Sequence, residues 1–311
     1  MFTVLLICGG LVGFYLLMWV TVLQQPKCKS TAKLYGRTVI VTGANTGIGK
    51  ATALDLAKRG ARVILACRDE RRAQAAVTDI QRESGNKEVL YMHLDLASLK
   101  SVRSFAENFL KKESRLDILI NNAGLLVGGK TEDGFGRIFG VNHLGHFLLT
   151  ILLLERLKEC GPSRVVTVSS ISHSGGEIDF DCINTHKDLG LGNSTLALLK
   201  LYGHSKLCNV LFTHELAKRL KGTNVTCYSL HPGAIKTDIC RHIVLWILLL
   251  FFADVESGAQ TSLYCALQEG IEPLSGRYFS KCAVQNVSAK ARDDAVAKKL
   301  WEVSERLVGL A

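Results

Sequence analysis

Residues 36–69 read GRTVIVTGANTGIGKATALDLAKRGARVILACRD, and no other stretch constrains the fold as strongly. Residues 38–42 are all β-branched, which favours an extended strand. Gly43, Gly47 and Gly49 follow at once, residues 51–58 have helical periodicity, Gly60 stops the helix, and residues 62–67 form a second apolar strand. Strand, glycine turn, helix and strand make a βαβ unit, whose strands are parallel because a helix carries the chain back between them. Glycines at that turn let the backbone approach a pyrophosphate lying at the positive end of the helix. The spacing TGxxxGxG departs from the GxGxxG form, and a glycine-rich turn alone says little. The flanking strands and helix are what point to a nucleotide.

The alternation continues along the chain. Residues 89–93, 116–120, 164–169 and 225–230 read as strands, and residues 100–112, 135–158 and 196–220 as helices with an apolar face. This order predicts an α/β fold: a single domain built on a Rossmann-type, doubly wound parallel sheet with both faces covered. A chain of 311 residues that is 48% hydrophobic can fill such a core. Ligand groups in these folds gather beyond the carboxyl ends of the strands. Asp95, the NNAG of residues 121–124, Ser169-Ser170 and His231-Pro232-Gly233 all fall there.

Before this domain lies MFTVLLICGGLVGFYLLMWVTVLQQ, apolar and without a charged side chain, long enough to cross a bilayer. A cleaved signal peptide has a basic n-region and a shorter apolar core; this run has neither, so an uncleaved anchor over residues 1–23 is expected. Residues 24–36 read as a linker and residues 37–311 as the domain. Lys27, Lys29, Lys33 and Arg37 flank the run, and positive flanks stay on the cytoplasmic side. That puts the domain in the cytosol, at the endoplasmic reticulum membrane. Ten cysteines with no CxxC pair fit a reducing compartment and argue against zinc, so no metal is expected. Sequons at Asn193, Asn224 and Asn286 matter only if the domain faces a secretory lumen. The net charge of +10 is dispersed rather than gathered into an arm, which suits an anionic cofactor or a membrane surface and not nucleic acid.

The second strand ends in Cys67-Arg68. NAD-binding folds usually carry an acid there for the ribose 2′-hydroxyl. An uncharged residue followed by a cation suits a 2′-phosphate, hence NADP, although Asp69 comes next and a solvent-facing Arg68 is the plainer alternative.

YGHSK, residues 202–206, places a tyrosine four residues before a lysine. On a helix the two share a face, and an ammonium beside a phenol favours the phenolate. The pair alone is a common accident of sequence. In order, however, TGANTGIG, NNAG, the VNHLGHF around Asn142, VSS, YGHSK and HPG resemble the short-chain dehydrogenase/reductase superfamily across about residues 36–280. The apolar N-terminus, ACRD, HSKLCNVLF and EGIEPLSGRYF are similar to its retinol dehydrogenase branch.

The resemblance implies an NAD(P)-dependent enzyme that interconverts a lipophilic alcohol with its aldehyde or ketone, retinoids first and steroids or fatty aldehydes next. A membrane-bound NADP-binding scaffold without turnover is the alternative, and the intact Asn142, Ser170, Tyr202 and Lys206 weigh against it. By the same resemblance Tyr202 is the acid/base. Lys206 tunes it and holds the nicotinamide ribose, Ser170 binds the substrate oxygen, and Asn142 anchors a water on a proton path. Gly43, Ala44, Asn45, Thr46, Gly47, Ile48 and Gly49 cradle the pyrophosphate. Arg68 meets the 2′-phosphate, Asp95 the adenine, and Asn122, Ala123 and Gly124 the adenosine ribose. Pro232, Gly233 and Thr237 lie at the nicotinamide end. His143, His146, His204 and His231 have no metal or hydrolase spacing and read as packing or surface residues. The stretch from residue 174 to 198 is longer than usual and reshapes the substrate mouth. The apolar residues 239–254 are placed where a lid would lie, with a buried helix as the alternative. The expected partners are a lipophilic small molecule and a membrane; a homodimer is compatible with the chain.

Overall fold

The computed structural model describes residues 26–190, 192, 194–235 and 253–311. Eight strands form one sheet: β1 (Thr38–Thr42), β2 (Arg62–Cys67), β3 (Val89–His93), β4 (Ile118–Asn121), β5 (Ser163–Val168), β6 (Val225–His231), β7 (Tyr278–Ser280) and β8 (Ala283–Gln285). Their order across the sheet is β3-β2-β1-β4-β5-β6-β7-β8. All neighbours are parallel except β7 and β8, which pair antiparallel. The expected parallel sheet therefore ends in an antiparallel edge, because the two residues between β7 and β8 allow only a hairpin.

The helices are α1 (Gly47–Lys58), α2 (Glu70–Ser84), α3 (Leu99–Lys112), α4 (Arg137–Glu159), α5 (Phe180–His186), α6 (Thr195–Arg219), α7 (Val255–Leu267) and α8 (Asp294–Leu307). Alternation along each strand sends its side chains to two cores. Val39, Val41, Val63, Leu65, Ile118 and Ile120 pack with apolar residues of α1, α2 and α7. Ile40, Ile64, Leu119 and Val165 pack on the other face with α3, α4, α6 and α8. This is the doubly wound arrangement, and its central strands are buried on both sides; every residue of β1 is buried.

Helix α4 is long and apolar enough to cross a membrane, but 78% of its apolar window is buried inside the domain. Phe147, Leu148, Leu149, Leu153 and Leu157 are fully buried there, each stabilising the fold by about 1.5–3 kcal/mol. It is a core helix. The expected anchor, residues 1–23, lies outside the described residues. Residues 26–36 have neither helix nor strand and are fastened to the domain: Cys28 N–H donates to Gln260 Oε1 at 2.9 Å, and Arg59 Nη1 to Ser30 O at 2.7 Å.

Strand order reverses beside β1, between β2 and β4. The loops after β1 and β4 consequently diverge and leave a crevice, the usual ligand position in such sheets.

Candidate active site

A cavity of about 490 Å³ opens at the carboxyl ends of β1, β4, β5 and β6. Gly43, Asn45, Thr46, Gly47, Ile48 and Gly49 line one end, Asn122, Ala123 and Gly124 its floor, and Ser170, Tyr202, Lys206, Pro232 and Gly233 the rest. Ala44 does not line it: the side chain is fully buried in the core. Thr237 lies outside the described residues, as do residues 239–252 of the expected lid. Asp254 is described, and it caps α7 by accepting from Ser257 N–H at 2.7 Å.

The glycine turn fits a pyrophosphate. A Cβ on Gly49 would stand 2.5 Å from both Gly43 O and Asn122 Nδ2, so no other residue fits without displacing backbone. Thr46 makes no side-chain cap on α1, leaving the first-turn amides facing the cavity. The turn is joined to the β4 loop through Thr42, which is fully buried. Its Oγ1 accepts from the N–H groups of Asn122 and Ala123, both at 2.9 Å, while Asn122 Nδ2 donates to Thr42 O at 2.8 Å.

Two of the expected cofactor residues stand apart from the cavity. Arg68 is exposed at the end of β2. The acid beside it is occupied, since Asp69 caps α2 by accepting from Arg72 N–H at 2.9 Å. Asp95 is half-buried beyond β3, where its Oδ1 accepts from Ala97 N–H at 2.9 Å.

Tyr202 and Lys206 share a face of α6, with Lys206 Nζ 5.3 Å from the Tyr202 ring centre. Lys206 is 2% exposed and donates to Val168 O at 2.9 Å. Burial pushes its amine down to about 8. The neighbouring serines divide. Ser169 is buried and its hydroxyl donates to Lys206 O at 2.7 Å, which ties β5 to α6. Ser170 is half-buried at the cavity wall.

Asn142 sits in a π turn, Gly140–Leu144, within α4. Such a turn re-aims one residue out of the helical ladder and is frequent at functional sites. Asn142 Nδ2 donates to Leu125 O at 3.1 Å and to Ser205 Oγ at 3.0 Å, and its Oδ1 accepts from Leu125 N–H at 2.9 Å. The side chain thereby joins the β4 loop to the helix of Tyr202 and Lys206.

Sequence reading missed part of this frame. His146 bonds Thr42 Oγ1 at 2.9 Å through Nε2 and Asn142 O at 3.3 Å through Nδ1, linking the glycine turn to the π turn. Burial pushes it down to about 3, so it stays neutral. Its position one turn after Asn142 was the available signal. His143 is a packing residue among Phe139, Phe147 and Phe212. His231 lines the cavity, pushed down to about 4 by burial. Leu126, Ile171 and Leu199 complete an apolar wall. Ile171 and Leu199 come from either side of the long 174–198 stretch.

Residues 37–180 match the family model described as short chain dehydrogenase. The chain is 53% identical over 310 residues to dehydrogenase/reductase SDR family member 13 of Bos taurus, over 97% of this chain and 81% of that one. It is 52% identical over 295 residues to retinol dehydrogenase 11 of Homo sapiens, over 93% of this chain and 91% of the relative. Among solved structures, an uncharacterised protein from Mycobacterium paratuberculosis is similar with a TM-score of 0.73 at 36% identity, over 92% of this chain and 98% of that one. Identity at this level along nearly the whole length, on a sheet of this order, means that the chain is an oxidoreductase of the short-chain dehydrogenase/reductase family.

Proposed function

We propose that the chain uses NADP(H) to interconvert a lipophilic alcohol with its aldehyde or ketone, a retinoid before a steroid or fatty aldehyde. The observation that carries this reading is one cavity in which Ser170, Tyr202 and buried Lys206 stand between a glycine cradle and an apolar wall of Leu126, Ile171 and Leu199. Likeness to proteins named retinol dehydrogenase supports the retinoid.

The residues around the glycine turn fit a dinucleotide. Gly43, Ala44, Asn45, Thr46, Gly47, Ile48 and Gly49 would hold its pyrophosphate, Ala44 through backbone alone. Asp95 would hold the adenine, Asn122, Ala123 and Gly124 the adenosine ribose, and Arg68 a 2′-phosphate. Lys206 would hold the nicotinamide ribose, with Pro232, Gly233 and Thr237 at the nicotinamide end. Asp69 is engaged at the start of α2, and Arg68 is the residue next to the end of β2, which favours NADP over NAD.

When bound, the reduced cofactor supplies a hydride to the carbonyl carbon. The chain's own residues manage the proton. Tyr202 donates it from its phenol to the carbonyl oxygen, and takes it back in the oxidising direction. The Lys206 ammonium favours the charge left on the phenolic oxygen. Ser170 donates a hydrogen bond to the same substrate oxygen and fixes its position. Asn142, whose Oδ1 accepts from Leu125 N–H, would anchor a water on the path that refills the proton. The apolar wall takes the substrate's hydrocarbon and keeps bulk water from the reacting carbon.

The test is turnover of retinal, a steroid ketone and a fatty aldehyde by purified protein with NADPH and with NADH. Tyr202→Phe keeps the ring and removes the donor, so kcat should fall by at least about 10²-fold with NADPH binding unchanged. Near-wild-type turnover in that variant would remove Tyr202 from the mechanism.

A further inference from the structure

Ser170 belongs to a turn with little of its own to hold it. Residues Ile171–Gly175 form a single 3-10 segment, a geometry with weak hydrogen bonds. Ile171 is 65% exposed, and His173 is the one side chain of the segment that is buried. The backbone of Ser170 itself is extended, and as the N-cap its carbonyl takes only the first bond of this short segment.

His173 takes hold of that carbonyl twice. Its backbone N–H donates to Ser170 O at 3.1 Å, and its ring Nδ1 lies 2.7 Å from the same oxygen. A carbonyl only accepts, so the ring nitrogen facing it carries the proton. The ring then packs on Tyr278 of β7, centres 4.6 Å apart and planes tilted by 56°. Tyr278 is itself 6% exposed and paired in register with Ser229 of β6. On its other side the serine turn rests on α6. A Cβ on Gly203 would stand 2.8 Å from Ser172 O, so the residue after Tyr202 must be small for the two segments to touch. Ser172 N–H donates to Ser170 Oγ at 3.2 Å and orients the hydroxyl.

We propose that His173 is a positioning residue for Ser170: its ring N–H fixes the Ser170 carbonyl, and its contact with Tyr278 refers that carbonyl to the sheet. Without it the serine turn is tethered only by its own short hydrogen bonds and by α6. The Ser170 hydroxyl then samples orientations that miss the substrate oxygen, and misplacement by about 1 Å costs up to roughly 10²-fold in rate. The role rests on the proposed function of Ser170 and acts on turnover rather than on cofactor binding, since Ser170 is assigned to the substrate oxygen and not to the cofactor.

Two substitutions separate position from bulk. The amide nitrogen of His173→Asn reaches where Nδ1 stands, while that of His173→Gln reaches the Nε2 side. With NADPH and the best substrate of the panel, His173→Gln should lower kcat roughly 10–100-fold, leave the KM for NADPH within about twofold, and be largely rescued in His173→Asn. The double variant Ser170→Ala/His173→Gln should be no slower than Ser170→Ala, because a residue acting through another loses nothing further once that one is gone. Equal rates in the two His173 variants, or losses that add in the double variant, overturn the proposal. A wild-type rate in Ser170→Ala instead removes Ser170 from the mechanism, a different failure. Amide hydrogen exchange over residues 170–176 reads the clasp without a substrate. It should accelerate about tenfold or more in His173→Gln and not in His173→Asn, and unchanged protection in His173→Gln defeats the idea even if no panel substrate turns over.

Discussion

Asn142 donates from its side-chain amide to Ser205 Oγ at 3.0 Å, and Ser205 in turn donates to Tyr202 O at 2.8 Å. A residue of the π turn is thereby bonded into the helix turn that carries Tyr202 and Lys206. The same amide grips Leu125 beyond β4, so one side chain sets the spacing between the floor of the cavity and its catalytic wall.

Removing it should be felt in both stability and rate. Asn142→Leu leaves the Leu125 carbonyl and amide without their partner, and a buried group left unsatisfied costs about 1–3 kcal/mol. We expect the unfolding free energy to fall by about 1–3 kcal/mol, read as a lower denaturation midpoint, and kcat to fall by at least about tenfold. Denaturant titration and steady-state kinetics on one preparation check it; a variant with wild-type midpoint and kcat would show that the bridge is ornamental.

Lys206 gives a pH signature. Its amine is held down to about 8 against an ordinary 10.5, because burial disfavours the charge. A depressed folded value means that the buried charge opposes folding below about 8 and that this opposition is lifted as pH rises to 10.5. The cofactor-free protein should therefore gain stability across that window relative to Lys206→Met, by a few kcal/mol at most. The kcat/KM for NADPH should move the opposite way, falling above about pH 8 as the ammonium is lost. A flat profile between pH 7 and 10, identical in wild type and Lys206→Met, would contradict both.

Arg68 tests the cofactor. It is exposed, and Asp69 beside it is engaged in capping α2. Arg68→Asp should weaken NADPH by at least about tenfold and spare NADH, since like charges repel and charge-assisted contacts contribute about 1.5–3 kcal/mol. Fluorescence titration of both nucleotides decides. Equal effects on the two would make Arg68 a solvent-facing charge.

The membrane arrangement is a separate prediction. Residues 1–23 carry no charged side chain, and exposed Lys27, Lys29 and Lys33 follow. Full-length protein should resist carbonate extraction from microsomes, and added protease should digest the domain in intact vesicles. Deleting residues 1–25 should shift much of it to the soluble fraction, with the apolar 243–253 segment retaining some. Glycan on Asn193 or Asn286 would place the domain in the lumen and reverse this topology.

What the sequence determined by itself is what local chemistry encodes. β1 falls where its β-branched run puts it and β2 where the apolar run does, and α6 spans Thr195–Arg219 against an expected 196–220, because periodicity and caps act over a few residues. The Tyr202–Lys206 face is likewise a matter of helical spacing. The tertiary structure decided what depends on partners distant in sequence. Leu116 and Asp117 read as strand. β4 begins at Ile118, and Asp117 at its entry is bonded by its backbone to Thr38 O and Arg164 N–H while its carboxylate accepts from Arg37 Nη1 at 2.6 Å and from Thr38 N–H at 2.8 Å, partners that local sequence does not show. The three-residue β7 is too short to show a period, yet it supplies the ring behind His173. Ser169 and Ser170 are alike in sequence. Only the approach of α6 turns the buried Ser169 hydroxyl into the Lys206 carbonyl and leaves that of half-buried Ser170 at the cavity, because a buried hydroxyl must find an acceptor.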